Sequence, residues 1–277
     1  MASVNSPLRS FLKPLFFKLI GNKGYARMQF HAKKKDIEQK LLEEPEMELL
    51  PELLLPTDNC IDIGANYAYY SHRLSQVCPE GKIYAFEPIP FTFHIAKRII
   101  NDMKLENVSI FQLGVGNENT TLTFEVPLQS FGAYSAGQAH LSGRNNELDG
   151  KEQHYRFAAH EKVKCDIVRL DNFKEIDAKI SFVKIDIEGA ELYALKGMKE
   201  LLLRDHPIVL LEINPFFLDG FGIKEEELKN FFAETGYSVY MYDQPAKKLK
   251  VWQGRFIESN YILFAQDHIS RFQRFIS

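Results

Sequence analysis

The chain has 277 residues, 45% hydrophobic and 26% charged, which is the make-up of an ordinary globular protein and excludes a disordered or disulfide-stapled one. With a formal charge of -3 and a single short basic run at Lys33, Lys34 and Lys35, it offers no face that could neutralise a row of phosphates, so nucleic acid is not an expected partner. Cys60, Cys78 and Cys165 are too few and too scattered for a disulfide framework or a zinc site; inert packing in a reducing, cytoplasmic setting is the expectation.

Read in chain order, Leu8 to Ile20 places Phe11, Leu12, Leu15, Phe16 and Leu19 at helical spacing. Lys13, Pro14 and Lys18 interrupt its apolar run, so neither a secretory signal nor a membrane span is expected here. A helix packed on its own domain or on a partner subunit is the first reading. A helix lying on a membrane surface is the second. From Asp36 to Leu55 a helical recurrence is broken by Pro45 and Pro51 into short pieces, which makes residues 1–55 a helical extension.

After a turn at Pro56, Thr57 and Asp58, strand and helix alternate over 56–277. Short, nearly continuous apolar strands are expected at Asn59–Gly64, Lys82–Glu87, Val108–Val115, Ser181–Asp186 and Ile208–Ile213, the pattern of a parallel sheet covered on both faces. Helices are expected at Ala68–Val77, Pro90–Met103, Ala190–Leu203 and Glu225–Thr235. Tyr237–Tyr242 and Ile257–Phe264 lie too close for a crossover helix and read as antiparallel neighbours. The architecture is therefore α/β, a mostly parallel doubly wound sheet with an antiparallel final strand.

One region departs from this alternation. Residues 127–161 are rich in glycine, serine and asparagine and read as a lid at the tip of a hairpin formed by Thr121–Val126 and Lys162–Leu170. Phe131, Tyr134, Tyr155 and Phe157 in it either wall an acceptor pocket or pack the loop down. His140, His154 and His160 are weak candidates for a base.

The chemistry gathers at strand ends. Asp62, Gly64, Ala65 and Asn66 close the first strand, and Glu87 closes the second, where a carboxylate can accept from both hydroxyls of a ribose. Asn66 and Tyr69 stand where a dinucleotide fingerprint needs its second and third glycines, which argues against a pyrophosphate on this turn. A ligand with a ribose and no phosphate fits, and S-adenosylmethionine is the commonest such cofactor. Gly116 and Asn117, in the turn after the third strand, could meet the adenine or simply form the turn. Asp186, Glu188 and Glu212 are the carboxylate candidates for a base at the strand ends, with Asp186 the first choice. Glu188 and Glu191 could equally serve a helix start, and that plain reading is preferred for Glu191. No metal is assigned.

The run Ile61-Asp62-Ile63-Gly64-Ala65-Asn66 with Tyr69-Tyr70-Ser71, then Phe86-Glu87-Pro88, then Val183-Lys184-Ile185-Asp186-Ile187-Glu188-Gly189-Ala190-Glu191 with Leu195-Lys196-Gly197, resembles the FkbM family of S-adenosylmethionine-dependent methyltransferases. The likeness spans roughly Pro56 to Phe264. It implies a Rossmann-like class I methyltransferase fold and O-methylation of a hydroxyl on a sugar, polyketide or other small-molecule or glycan acceptor. Ala68 stands where the family pattern often has glycine, and its methyl is expected to be tolerated in a helix start. An NAD-type oxidoreductase and a non-catalytic protein that keeps the nucleoside site are the competing readings.

Overall fold

The computed structural model describes residues 7–129, 132–135, 139–143 and 157–277. Helix α1 (Pro7–Glu38) is two helical pieces joined at Gly21, whose φ of 62° breaks the helical path. The expected Leu8–Ile20 helix is thus the first piece, and a second runs on to Glu38. The second piece lies on the domain itself: Phe30 and Ile37 pack with Tyr67, Ile95 and Ile99. A 3-10 turn (Pro45–Glu48) and α2 (Leu50–Leu53) follow, each opened by the proline that the sequence supplies near its first position.

The doubly wound unit then runs β1 (Asn59–Ile63), α3 (Tyr69–Val77), β2 (Ile83–Phe86), α4 (Pro90–Asp102) and β3 (Val108–Phe111). After an excursion it resumes with β8 (Ile180–Ile185), α5 (Glu191–Gly197), α6 (Lys199–Asp205), β9 (Ile208–Ile213), α7 (Pro215–Gly220) and α8 (Glu225–Thr235). It closes with β10 (Tyr237–Asp243), β11 (Lys248–Val251), β12 (Ser259–Ala265) and α9 (Gln266–Phe272). Among the described residues these strands form one sheet in the order β11-β10-β12-β9-β8-β1-β2-β3. β12 inserts antiparallel between β9 and β10, as the short connection demands, and β11 is a further strand in that connection.

The excursion forms a second sheet, β4-β7-β5-β6, from β4 (Gly114–Val115), β5 (Thr120–Gln129), β6 (His140–Leu141) and β7 (Phe157–Val168). Two expectations are corrected here. Val108–Val115 is not one strand: it leaves the main sheet after Phe111, and Gly114–Val115 pairs with Ile167 and Val168 instead. Residues 127–161 are not loop throughout, because the β5–β7 ladder extends to Gln129 opposite Phe157.

Helix Ala190–Leu203 is likewise two helices, broken at Met198. A Cβ on Gly197 would come within 1.8 Å of the Gly116 carbonyl oxygen, so this glycine lets the end of α5 press on the turn after β4.

The strands alternate between two apolar layers. Ile61, Ile63, Val183, Ile185 and Leu211 face α5, α6 and α8, whereas Cys60, Phe182 and Leu210 face α2 and α3. Asp62 and Lys184, being one step from their apolar neighbours, fall on the second face and are register partners there. No helix among the described residues is long and apolar enough to cross a membrane.

Candidate active site

Register aligns the strand tips. Ile63 pairs with Phe86 on one side and with Ile185 on the other, so Gly64, Glu87 and Asp186 leave the sheet at one level. Backbone bonds carry the ladder one step further: the Gly64 N–H donates to Phe86 (3.0 Å), the Glu87 N–H to Phe111 (3.1 Å) and the Asp186 N–H to Ile63 (3.1 Å). Ile185 pairs with Leu211, and Glu212 pairs with Asn260, which adds those two residues to the row. The row lies at the carboxyl edge where strand order reverses between β1 and β8, the place where open α/β sheets bind ligands.

Gly64 decides how closely the tips approach. Its φ is +82°, and an added Cβ would stand 1.9 Å from the Asp186 carbonyl oxygen. The turn continues through Asn66 (φ 49°) and Ala68 (φ 66°). Ala68 is therefore in the left-handed region and not in an ordinary helix start, so its methyl carries strain of about 1 kcal/mol. It is fully buried with Ala96 and Ile100.

Two adjoining cavities open on this row and share Gly64, Pro88, Phe124 and Ile187. The first, about 310 Å³, is largely apolar and passes Ile63, Phe86, Gly116, Asn117 and Tyr193, with Leu122, Leu141 and Ile167 of the second sheet as its wall. The second, about 300 Å³, is lined by five acidic side chains, Glu44, Glu87, Asp186, Glu188 and Glu212, together with Asn66, and by no lysine, arginine or histidine among the described residues.

Burial sets the charge states. Both oxygens of Glu87 accept backbone N–H groups, from Asn66 at 3.0 Å and Ile89 at 2.9 Å, yet burial outweighs them and pushes the carboxyl up to about 8. Burial likewise pushes Glu212 up to about 9, helped by its hydrogen bond with Asp186. A hydrogen bond between two carboxyl groups needs one proton, so the pair shares one. Asp62 is raised to about 6 by burial and accepts from the Ser71 hydroxyl at 2.5 Å.

Lys184, 1% exposed, lies among these acids. Burial alone would lower its value, but the carboxylates of Asp186, Glu44, Glu212 and Asp62 outweigh burial and hold the ammonium charged.

The structure thus brings Gly64, Asn66, Glu87, Asp186, Glu188 and Glu212 to one cavity and Gly116 and Asn117 to the other. Asp62 and Ala65, expected beside the cofactor, line neither: Asp62 turns inward to Ser71, and Ala65 is buried behind the turn. Tyr134 packs its ring at a tilt against Phe91 and donates to Glu161, which is the packing alternative. His140 and His160 line neither cavity. Phe131, His154 and Tyr155 lie outside the described residues, as does the side chain of Phe157. Sequence reasoning passed over Lys184, whose charge within an apolar strand was the available signal, and Glu44, which had none.

Glu191 caps backbone. Its Oε1 accepts the Gly189 N–H at 2.9 Å, and burial raises the carboxyl to about 7. The stability it contributes is complete below its unfolded value of 4.5 and is lost as pH rises through about 7. Glu191→Ala is expected to lower unfolding free energy by about 1–3 kcal/mol through the unpaired amide. Calorimetry should find affinity for S-adenosylhomocysteine changed less than about twofold, since one cap lies outside both cavities.

The FkbM methyltransferase domain matches residues 62–239, from the buried aspartate of β1 into β10. The chain belongs to the FkbM methyltransferase family. Two relatives are similar over part of this FkbM chain. Methyltransferase 1 of Beauveria bassiana is 30% identical over 157 residues, 52% of this chain. Methyltransferase sdnD of Sordaria araneosa is 32% identical over 160 residues, 50% of this chain. Each match takes in 60% of the relative's own length. A solved FkbM methyltransferase from Methylobacillus flagellatus is 15% identical, with a TM-score of 0.47, over 76% of this chain and 44% of that one.

The cofactor of the FkbM family is S-adenosylmethionine, and the residues present fit it. A cavity lined by five acidic side chains, with no basic one among the described residues, suits a sulfonium and opposes a pyrophosphate. The buried Oδ1 of Asn66, on the same cavity, has no partner among the described residues and can accept from an ammonium. The apolar cavity that passes Gly116 and Ile187 could take the adenine, and Glu87, on the acidic one, could hold the ribose.

Proposed function

We propose that the chain transfers a methyl group from S-adenosylmethionine to a hydroxyl of a small-molecule, sugar or glycan acceptor. The observation that carries this reading is the Asp186–Glu212 pair at the tips of β8 and β9, in the same cavity as Gly64 and Glu87. When bound, the donor supplies an electrophilic methyl on a positively charged sulfur.

The chain's residues then have three tasks. Gly64, Asn66 and Glu87 position the donor, and the apolar cavity excludes water from the adenine. The carboxylates favour the cationic reactant over a neutral or anionic competitor. Asp186, half exposed and accepting the Glu212 proton, takes the proton of the acceptor hydroxyl as oxygen attacks and carbon–sulfur bonding is lost. The same acids weigh against the oxidoreductase reading, because a dinucleotide would press its phosphates on them.

S-adenosylhomocysteine at a hundredfold over its dissociation constant should stabilise the protein by about 2.7 kcal/mol, read as a thermal shift, and NAD should give none. A shift with NAD alone would end the reading. Labelled methyl transfer into cell extracts should mark oxygen, and label confined to nitrogen or sulfur would refute O-methylation. With the acceptor found, Asp186→Asn should lower kcat by about 100–10,000-fold.

A further inference from the structure

Lys184 takes part in none of the three tasks above, yet every element packed around it turns a polar or charged group toward it. From β8 itself comes Asp186, whose Oδ2 is 3.8 Å from the Nζ. From β12, the Asn260 Oδ1 accepts from the Nζ at 3.3 Å. From α3, the Tyr70 ring lies beneath the ammonium, 5.0 Å from Nζ to centroid. Asp62 of β1, Glu212 of β9 and Glu44 before the 3-10 turn face it electrostatically, as does Glu46 of that turn, while Glu188 acts on Glu212.

A lysine this deep is hard to explain as a stabiliser. Taking an ammonium out of water costs several kcal/mol, and well-packed apolar residues in place of buried ion pairs are often neutral or stabilising. Methionine would fill the same space in β8. What the charge does provide is a direction. Asp186 and Glu212 share one proton, and either could carry it. Lys184 is in direct ion-pair range of Asp186, and its amide partner Asn260 stands opposite Glu212 in the ladder.

We propose that Lys184 is a positioning residue, whose buried ammonium keeps the negative charge of the Asp186–Glu212 pair on Asp186, the member that faces the acceptor. The proposal rests on the methyl-transfer reading for its purpose, but the charge arrangement is a property of the protein alone. It also gives the N-terminal segment a part in the site. Asn260 accepts from Lys184 and donates to Glu44 (2.9 Å) and Glu46 (3.4 Å), while Tyr70 donates to Glu44 (2.7 Å). The ammonium is thereby fixed from a segment that precedes the matched domain.

The test uses the ligand-free full chain, labelled with carbon-13 at aspartate and glutamate carboxyl groups, with the pair's signals assigned by Asp186→Asn and Glu212→Gln. In Lys184→Met and Lys184→Gln, the titrations of the pair should move about one to three pH units upward, because a neighbouring cation favours ionised carboxyl groups and its loss disfavours them. In Lys184→Arg, which keeps the charge, they should stay within about half a pH unit of wild type. Affinity of all three variants for S-adenosylhomocysteine should remain within about threefold, since Lys184 does not line the donor cavities.

Titrations that stay put in a folded neutral variant would overturn the proposal. So would failure of both neutral variants to fold, which would make the lysine a support of the core. A wild-type protein that transfers no methyl to oxygen would remove the functional reading while leaving the titration result to stand or fall by itself.

Discussion

Gly64→Ala is expected to cost about 3–5 kcal/mol of stability and to abolish measurable donor binding. Two effects add. The residue holds a φ of +82°, where a side chain is strained by about 1–3 kcal/mol, and its Cβ would stand 1.9 Å from the Asp186 carbonyl oxygen. That oxygen belongs to backbone, so relief requires the tips of β1 and β8 to part. Their parting would break the Asp186 N–H bond to Ile63 and displace the row that lines both cavities. Thermal melts should show a fall of about 6–20 °C for a chain of this size. Titration calorimetry with S-adenosylhomocysteine should show no heat at concentrations that saturate wild type. A variant that melts normally and binds normally would mean that the two strands do not meet as described.

Glu87→Ala is expected to weaken S-adenosylhomocysteine binding by about 100-fold or more, since two hydroxyl bonds to a charged acceptor, about 1.5–3 kcal/mol each, are lost. It also leaves the N–H groups of Asn66 and Ile89 unpaired, at about 1–3 kcal/mol each, so the free protein should melt lower as well. The pH dependence separates the two roles. In the free protein Glu87 holds its proton to about 8, against an unfolded value of 4.5. The stability it contributes is complete below 4.5 and is lost as pH rises through about 8. Ribose hydroxyls donate to the ionised form, so binding draws the proton off. Wild-type affinity should therefore rise between about pH 6 and pH 9, with proton release visible as a dependence of calorimetric heat on buffer. Glu87→Ala should show neither, and a flat wild-type profile would refute a ribose contact at Glu87.

Much of this arrangement follows from local sequence. A short apolar run ending in Gly64-Ala65-Asn66 is a strand that must turn sharply, and Phe86-Glu87-Pro88 is another strand that ends on an acid before a helix-starting proline. Alternation of such runs with amphipathic helices specifies a parallel sheet, and a parallel sheet places strand ends on one edge. The β10–β12 pairing was equally legible, because chain length between the two strands allows no crossover. The strand Val108–Val115 was misread because apolar continuity says nothing of which sheet a residue joins; Gly114 and Val115 move to β7 through hydrogen bonds made with distant chain. Ala190–Leu203 is two helices for a similar reason, since the break at Met198 falls beside Gly197, where α5 meets Gly116 of distant chain.

By itself, then, the sequence determined the fold class, the position of the crevice and the residues at the strand tips, all of which depend on short-range patterning and on the two-residue period of a strand. Only tertiary structure decided which of those residues line the cavities. The register of β1 against β8 turned Asp62 inward beside Lys184, and that of β9 against β12 set Asn260 beside Glu212. The N-terminal segment folded back to bring Glu44 to the same ammonium. Charge states were decided there too, because the proton affinity of a carboxyl depends on the water it loses and the charges it meets, and those are fixed by contacts between residues remote in the chain.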